Sequence, residues 1–281
     1  MGNVLKNFIT RAVTGIIFVL VVAAMFVLGE QTNAITYAVM MVAIICLATH
    51  EYYRMLQAGG MSPHFRTALC TNLAAFLLGF MACNYGWDSR LLLCVVGLVW
   101  LMFLIELFSK NKKPLENIAL TILGCVYIGL PFALFNLLAF KNGQYDFWPI
   151  IGIFALIWVN DTGAYISGVT LGRHKLYERI SPKKTVEGFI GGVLLTIAVG
   201  CVSYACFGDC FFHAGLPFTL VTTAIVAIIG TCGDLVESMF KRSVNIKDTG
   251  HLLPGHGGIL DRFDAVMFAA PIVSLLYYFF I

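Results

Sequence analysis

The sequence predicts an all-α, polytopic transmembrane helical protein of about nine spans with its N-terminus in the cytoplasm. Composition is the first observation behind this: of 281 residues, 59% are hydrophobic and 12% charged. The mean hydropathy is +0.87, whereas soluble domains carry about 25% charged residues and cannot hide so much apolar surface. Length is the second, since the apolar residues fall in runs near the ~20 that a bilayer core requires. The third is where the cations stand. Of the 18 Lys and Arg, all but Arg90 and Lys141 lie in connections on one side of the predicted bundle, and such an excess marks the cytoplasmic face.

Nine apolar runs are read, at about 12–29, 34–50, 67–84, 91–108, 118–140, 148–169, 188–207, 217–234 and 262–281. The first follows Lys6 and Arg11 and is kept as a span, because it is longer than a signal-peptide core and no A-x-A site follows it. Nor is Met1-Gly2 a myristoylation signal, since Lys6 stands where that motif needs Ser or Thr. An odd number of spans puts the C-terminus outside, where Tyr277 and Tyr278 suit an interface. Residues 1–281 then form a single integral membrane domain, with the spans of about 1–145 as scaffold and those of about 146–281 as the catalytic part. Nine cysteines stand singly in apolar runs, with no CxxC pair and no His at ligand spacing, and are read as small buried hydrophobes. The net charge of +3 belongs to loops, and no nucleic-acid partner is expected.

Four polar features interrupt this grease. In the sixth run, Asn160 and Asp161 sit well inside an apolar stretch, where a carboxylate costs about 2.5–3.5 kcal/mol on insertion scales and so faces a polar cavity. In RISPKKTVEGFIGG, Ser181-Pro182 suits a turn and Thr185 can cap the helix of the seventh span. The free N–H groups of that helix's first turn, with Lys183 and Lys184 beside them, make an anion site. Where the eighth run ends, Asp234, Glu237, Lys241 and Arg242 recur at helical spacing, so one face carries two carboxylates and a cation. Lys247-Asp248 then opens a loop too rich in Gly and Pro to be helical. There Gly255-His256-Gly257-Gly258 lets successive N–H groups converge on an anion.

Asp261 and Asp264 follow one turn apart around Arg262, at the start of the ninth span. Carboxylates beside phosphate-binding groups repel one another unless a divalent cation joins them, and Mg²⁺ is the ion that takes one or two carboxylates plus substrate phosphates. If the 26 residues between Asp234 and Asp261 fold back compactly, the two carboxylates meet at one ion. Asp264 then holds Lys241, Arg242 or Arg262, or completes the metal shell.

The run S-x-F-K-R-x4-K-D-x-G-x2-L-P-x-H-G-G-I-x-D-R-F-D, from Ser238 to Asp264, resembles in full the signature of the phosphatidate cytidylyltransferases of bacterial type, also called CDP-diacylglycerol synthases. NDTGAY at 160–165, SPKKTVEG at 181–188 and the Gly233-Asp234 pair resemble that family's upstream blocks, so the likeness covers roughly the C-terminal half. The resemblance implies a Mg²⁺-dependent reaction of CTP with phosphatidic acid, giving CDP-diacylglycerol and pyrophosphate. It also implies a polytopic helical fold in the cell (inner) membrane, often a homodimer, with the site facing the cytoplasm. Asp234, Asp261, Lys241, Arg242 and Asp264 are the expected catalytic residues, with Asp234 and Asp261 on the metal. Substrate binding falls to Asn160, Asp161, Ser181, Lys183, Lys184, Thr185, Glu187, Lys247, Asp248, His256, Gly257, Gly258 and Arg262.

Such a reaction needs cations for the leaving pyrophosphate and a seat at headgroup depth. It needs no Ser-His or Cys-His pair, because the attacking phosphate is already ionised. A transporter would account for Asp161 but would gather its polar residues at the midplane rather than in two loops. CDP-alcohol phosphotransferases carry a DG-x2-AR-x8-G-x3-D-x3-D motif that has no counterpart here. CTP-dependent polyprenol or phytol kinases share some of the blocks and are the nearest alternative.

Overall fold

A computed structural model describes residues 2–209, 211–250 and 257–280, with side chains from Val13 onward. Among the described residues nine helical rods follow one another: α1 (Gly2–Gly29), α2 (Ile35–Ala58), α3 (Phe65–Tyr85), α4 (Ser89–Leu107), α5 (Pro114–Ala139), α6 (Trp148–Leu171), α7 (Val186–Phe207), α8 (Gly215–Ser243) and α9 (Leu260–Phe280). The last eight are long and apolar enough to cross a membrane, and Val13–Gly29 of α1 is a shorter apolar helix. The polytopic helical class is therefore the one expected from composition and run length.

Two boundaries differ in a way that matters. The eighth apolar run ends at about 234, and the helix α8 extends beyond it without a break to Ser243, as the helical spacing of the polar residues predicts. Asp234, Glu237 and Lys241 are thus ordinary helical positions on one rod. The last rod opens at Leu260, two residues early, which shortens the connection between α8 and α9. Within α5, Cys125–Gly129 is wound as a π helix. Its flanking glycine, Gly124, is pressed against the rings of Tyr52 and Tyr53.

In lipid, apolar burial supplies no force between helices, so close packing and polar contacts decide how rods associate. Both operate here. In the N-terminal half, Tyr37 donates to Asn136 Oδ1 at 3.2 Å, and Asn136 donates on to the Phe76 carbonyl at 3.2 Å. The rings of Tyr37, Phe76, Phe80, Phe140 and Tyr145 pack around this pair. In the C-terminal half α6 and α7 lie closest, through Gly163, Gly168, Gly188 and Gly192. A Cβ at Gly192 would stand 2.8 Å from Asn160 Oδ1 and 2.9 Å from the Asn160 carbonyl.

Two short hairpins lie outside the rods. Strands β1 (Phe140–Lys141) and β2 (Gln144–Tyr145) pair before α6, and β3 (Lys175–Tyr177) pairs with β4 (Ser181–Thr185) before α7. The turn expected at Ser181-Pro182 falls at 178–180 instead, and Ser181 opens β4 opposite Tyr177. Of the described cysteines only Cys125 is buried, while Cys70, Cys94, Cys201, Cys206 and Cys232 are exposed. The buried reading of the cysteines is corrected, since bilayer lipid accepts an outward thiol as readily as a core does.

Candidate active site

The alternating directions of the rods bring the C-terminal ends of α6 and α8 together with the N-terminal ends of α7 and α9. Two helix N-termini, the positive ends of their dipoles, therefore point to the same end of the bundle. A cavity of about 360 Å³ opens there, with Asn160, Asp161, Lys183 and Lys184 among its polar lining and Tyr165 and Val169 among its apolar lining.

Thr185 is the N-cap of α7, as the sequence predicts, and its hydroxyl accepts the Gly188 N–H at 3.1 Å. That cap aims β4, and with it Lys183 and Lys184, over the cavity. Lys184 Nζ pairs with Asp234 Oδ2 at 2.5 Å. Asn160 donates to Thr231 Oγ1 at 3.1 Å, while its own Oδ1 is buried without a partner. Asp161 is exposed to the cavity and interacts electrostatically with Asp234, Lys184 and Arg262.

Asp234 is the hub of this arrangement, because it also interacts electrostatically with Asp264. The close approach of α8 and α9 explains why. A Cβ on Gly233 would lie 2.6 Å from the Asp264 carbonyl and 3.0 Å from Phe268 Cβ, so only glycine lets the two carboxylate-bearing turns meet.

Asp261 belongs to a second cluster. Its Oδ1 accepts from Lys241 Nζ at 2.7 Å. Its Oδ2 accepts the Gly258 N–H at 2.8 Å, the Thr249 N–H at 3.2 Å and the Thr249 hydroxyl at 2.9 Å. Lys241 also pairs with the buried Glu237 at 3.0 Å. In the structure Asp234 pairs with Lys184 and Asp261 with Lys241. The unbroken α8 sets Asp234 seven residues, about two turns, before Lys241, so each aspartate meets its own lysine.

Other expected substrate residues are used locally. Glu187 accepts the Arg173 N–H at 3.1 Å and the His174 N–H at 3.2 Å and pairs with His174 Nδ1 at 2.5 Å, so it fastens the β3–β4 hairpin to α7. Arg242 was expected near an aspartate. It donates to the carbonyls of Ile246 at 3.1 Å and Ile180 at 3.5 Å, bracing the two loops against each other. The Gly258 N–H, expected to face an anion, is given to Asp261. Gly257 has a φ of 80°, which suits glycine. His256 and Gly255 lie outside the described residues. Lys247 and Asp248 are exposed, and Asp248 lines a second cavity of about 410 Å³ against α2.

Three contributors from the N-terminal half and α8 were not singled out from the sequence. Tyr127, in the π-helical stretch, packs edge-on against Phe240 at 5.3 Å. Its buried hydroxyl has no partner and interacts electrostatically with Glu237, Asp264 and Asp234. Thr231 holds Asn160. Glu51 of α2 is buried against the loop leading into α9. Glu51 stands just past the second apolar run, in CLATHEYYRM between His50 and Arg54, where a charge is expected at a helix end and gives no signal of its own.

A multi-span helical protein with cations, carboxylates and helix N-termini converging beside an apolar wall has the build of a membrane enzyme that handles phosphates next to lipid. The profile of the cytidylyltransferase family matches residues 9–280, and the chain belongs to that family. It is 33% identical over 268 residues to a phosphatidate cytidylyltransferase of Staphylococcus haemolyticus, covering 95% of this chain and 97% of that protein. A phosphatidate cytidylyltransferase of Staphylococcus epidermidis is 40% identical over 183 residues, which cover 64% of this chain and 68% of the relative. One of Staphylococcus aureus is 38% identical over 182 residues, 65% of this chain and 67% of the relative.

Proposed function

We propose that the protein transfers the cytidylyl group of CTP to phosphatidic acid, giving CDP-diacylglycerol and pyrophosphate for phospholipid synthesis. The observation that carries this is the amphipathic cavity, where Lys183, Lys184, Asn160 and Asp161 share a wall with Tyr165 and Val169. A phosphate head on a lipid body needs such a seat, and the names of the relatives supply the same pair of substrates.

An oxygen of the lipid phosphate attacks the α-phosphorus of CTP as the bond to the pyrophosphate oxygen breaks. No base is required, because the nucleophile is already an anion at neutral pH. Lys183 and Lys184, beside the positive N-terminal end of α7, bind the triphosphate and take up the charge that grows on the leaving pyrophosphate. Lys241, fixed between Glu237 and Asp261, holds the wall formed by α8 and α9. Catalysis on this reading is positioning plus electrostatics.

The carboxylates fit Mg²⁺. Asp234, whose Oδ2 is held by Lys184, faces Asp161 and Asp264, and the unpartnered Asn160 Oδ1 adds a neutral oxygen donor. Among the described residues no three His, Cys, Asp or Glu side chains form a ready-made metal cluster, which suits an ion that completes its shell with phosphate oxygens and water. Asp234 would hold it, with Asp161 or Asp264 beside it; Asp261 is engaged by Lys241, Thr249 and Gly258. When bound, Mg²⁺ would offset the negative charge of the phosphates and act as a Lewis acid on them.

The same reading places the protein in the cell (inner) membrane with the site facing the cytoplasm, supported by the segregation of Lys and Arg. It includes a homodimer, which cross-linking in membranes would test. The deciding experiment is Mg²⁺-dependent conversion of CTP and phosphatidic acid by purified protein in mixed micelles, with mass analysis of the lipid product. Lipid that retains CMP is expected. Lipid that gains only a phosphoryl group would move the chain to the CTP-dependent lipid kinases.

A further inference from the structure

Glu51 lies in the half of the chain read as scaffold, near the C-terminal end of α2, and is 6% exposed. Its Oε2 accepts the N–H of Leu260, the first residue of α9, at 2.8 Å, across 209 positions of sequence. That N–H is one of the orphan donors of a helix start, so a carboxylate from another rod caps α9 and complements its positive end. Thr249 is buried beside it, its hydroxyl 3.5 Å from Glu51 Oε2 and 2.9 Å from Asp261 Oδ2. A threonine hydroxyl has one proton to give, and the shorter contact assigns it to Asp261. The two carboxylates thus grip opposite sides of one short segment.

The backbone around them is shaped to this grip. A Cβ on Gly250 would stand 2.5 Å from Glu51 Oε1, and one on Gly258 would collide with the same carboxylate. Neither glycine has a positive φ, so conformation does not require glycine at either place. Contact with Glu51 does.

We propose that Glu51 is a positioning residue for cytidylyl transfer: it clamps the start of α9 and the Thr249 segment, and through them fixes Asp261 and Lys241. This rests on the proposed reaction for its kinetic readout, while the clamp itself can be measured without any activity. Lys183 and Lys184 lie on β4, while among the described residues Glu51 bonds to Thr249 and Leu260. Losing the clamp should therefore lower kcat and leave the KM for CTP nearly unchanged. A displacement of about 1 Å at a reacting group costs on the order of 10²-fold.

The test uses the full-length protein in micelles, with hydrogen exchange of the peptide spanning 257–264 as the readout of the clamp. In Glu51→Ala, exchange there should rise at least about tenfold and kcat should fall about 10²-fold, with the KM for CTP within about threefold. Glu51→Gln keeps an acceptor for the Leu260 N–H and should recover most of both. Gly250→Ala pushes the carboxylate away without deleting it and should lower kcat alone, yet add little in the Glu51→Ala background, where the obstruction is gone. If Glu51→Ala does not fold, Gly250→Ala and Glu51→Gln decide by the same readouts. Wild-type exchange and kcat in folded Glu51→Ala, or in Gly250→Ala, would overturn the clamp, as would fully multiplicative losses in the double variant. A wild-type protein that makes no CDP-diacylglycerol would overturn the proposed reaction, and the exchange measurements would still decide the clamp.

Discussion

At the scale of single residues, charge pairs define what each side chain can do. Replacing both Lys183 and Lys184 with Ala should raise the apparent KM for CTP more than about tenfold, because a hydrogen bond to a charged group contributes roughly 1.5–3 kcal/mol. Melting should change little, since β4 is held by Thr185 and by its pairing with β3. An unchanged CTP dependence would return these lysines to anchoring the membrane topology. Asp234→Asn keeps the shape of the side chain and removes the charge that Lys184, Asp161 and Asp264 all meet. Turnover should drop by about 10²-fold or more if electrostatic stabilisation of the transferring group is the main effect. Raising Mg²⁺ should recover part of the loss, whereas near-normal turnover would show that the metal lies elsewhere. Asp261→Asn should differ in kind. It leaves the buried Lys241 with Glu237 as its remaining carboxylate partner among the described residues and weakens the hold on Thr249 and Gly258, so thermal stability and kcat should fall together and extra Mg²⁺ should restore neither.

At the scale of elements, the site depends on how near the rods can come. The Asn160 carbonyl and side chain sit where a Cβ of residue 192 would go. Gly192→Val should therefore drive α6 from α7, displace Asn160 and Asp161 from the cavity, and lower both melting temperature and turnover. A variant with wild-type values would mean that the α6–α7 contact does not set the position of Asp161. Loss of the helix cap is milder. Thr185→Ala removes an acceptor worth about 1 kcal/mol and should lower the melting point slightly while raising the KM for CTP, because β4 and its lysines lose their fixed aim.

For the whole molecule, the odd number of rods and the segregation of cations put both polar loops, 172–185 and 244–259, on the face that also carries the N-terminus. A reporter active only in the cytoplasm should be silent when fused after the last residue and active when fused within the loop between α2 and α3. The reverse pattern would invert the protein and put the CTP site on the wrong side of the membrane. The polar lining of the cavity comes from α6, β4 and α8, while the π-helical stretch of α5 brings Tyr127 toward Glu237, Asp264 and Asp234 and Glu51 of α2 lines the second cavity beside Asp248 and Thr249.

The sequence by itself determined the helical membrane class and the number of rods. Both follow from one-dimensional quantities, the length of apolar runs and the placement of charge between them. It also marked nearly every polar group of the site, because a charge in an apolar run is costly and stands out wherever it occurs. Thr185 as a helix cap was legible for the same reason: the capping bond spans three residues. Partnership was not legible. Asp234 meets Lys184, Asp261 meets Lys241, and Glu187 turns to His174, since carboxylates and cations of similar kind compete and only packing ranks them. The continuity of α8 past Asp234 and the approach of α9 at Gly233 made that choice. Glu51 shows the limit most plainly. Its charge was visible in the sequence, but its contact with Leu260 exists only because α2 and α9 pack side by side, and no local pattern encodes which distant rod a helix will touch.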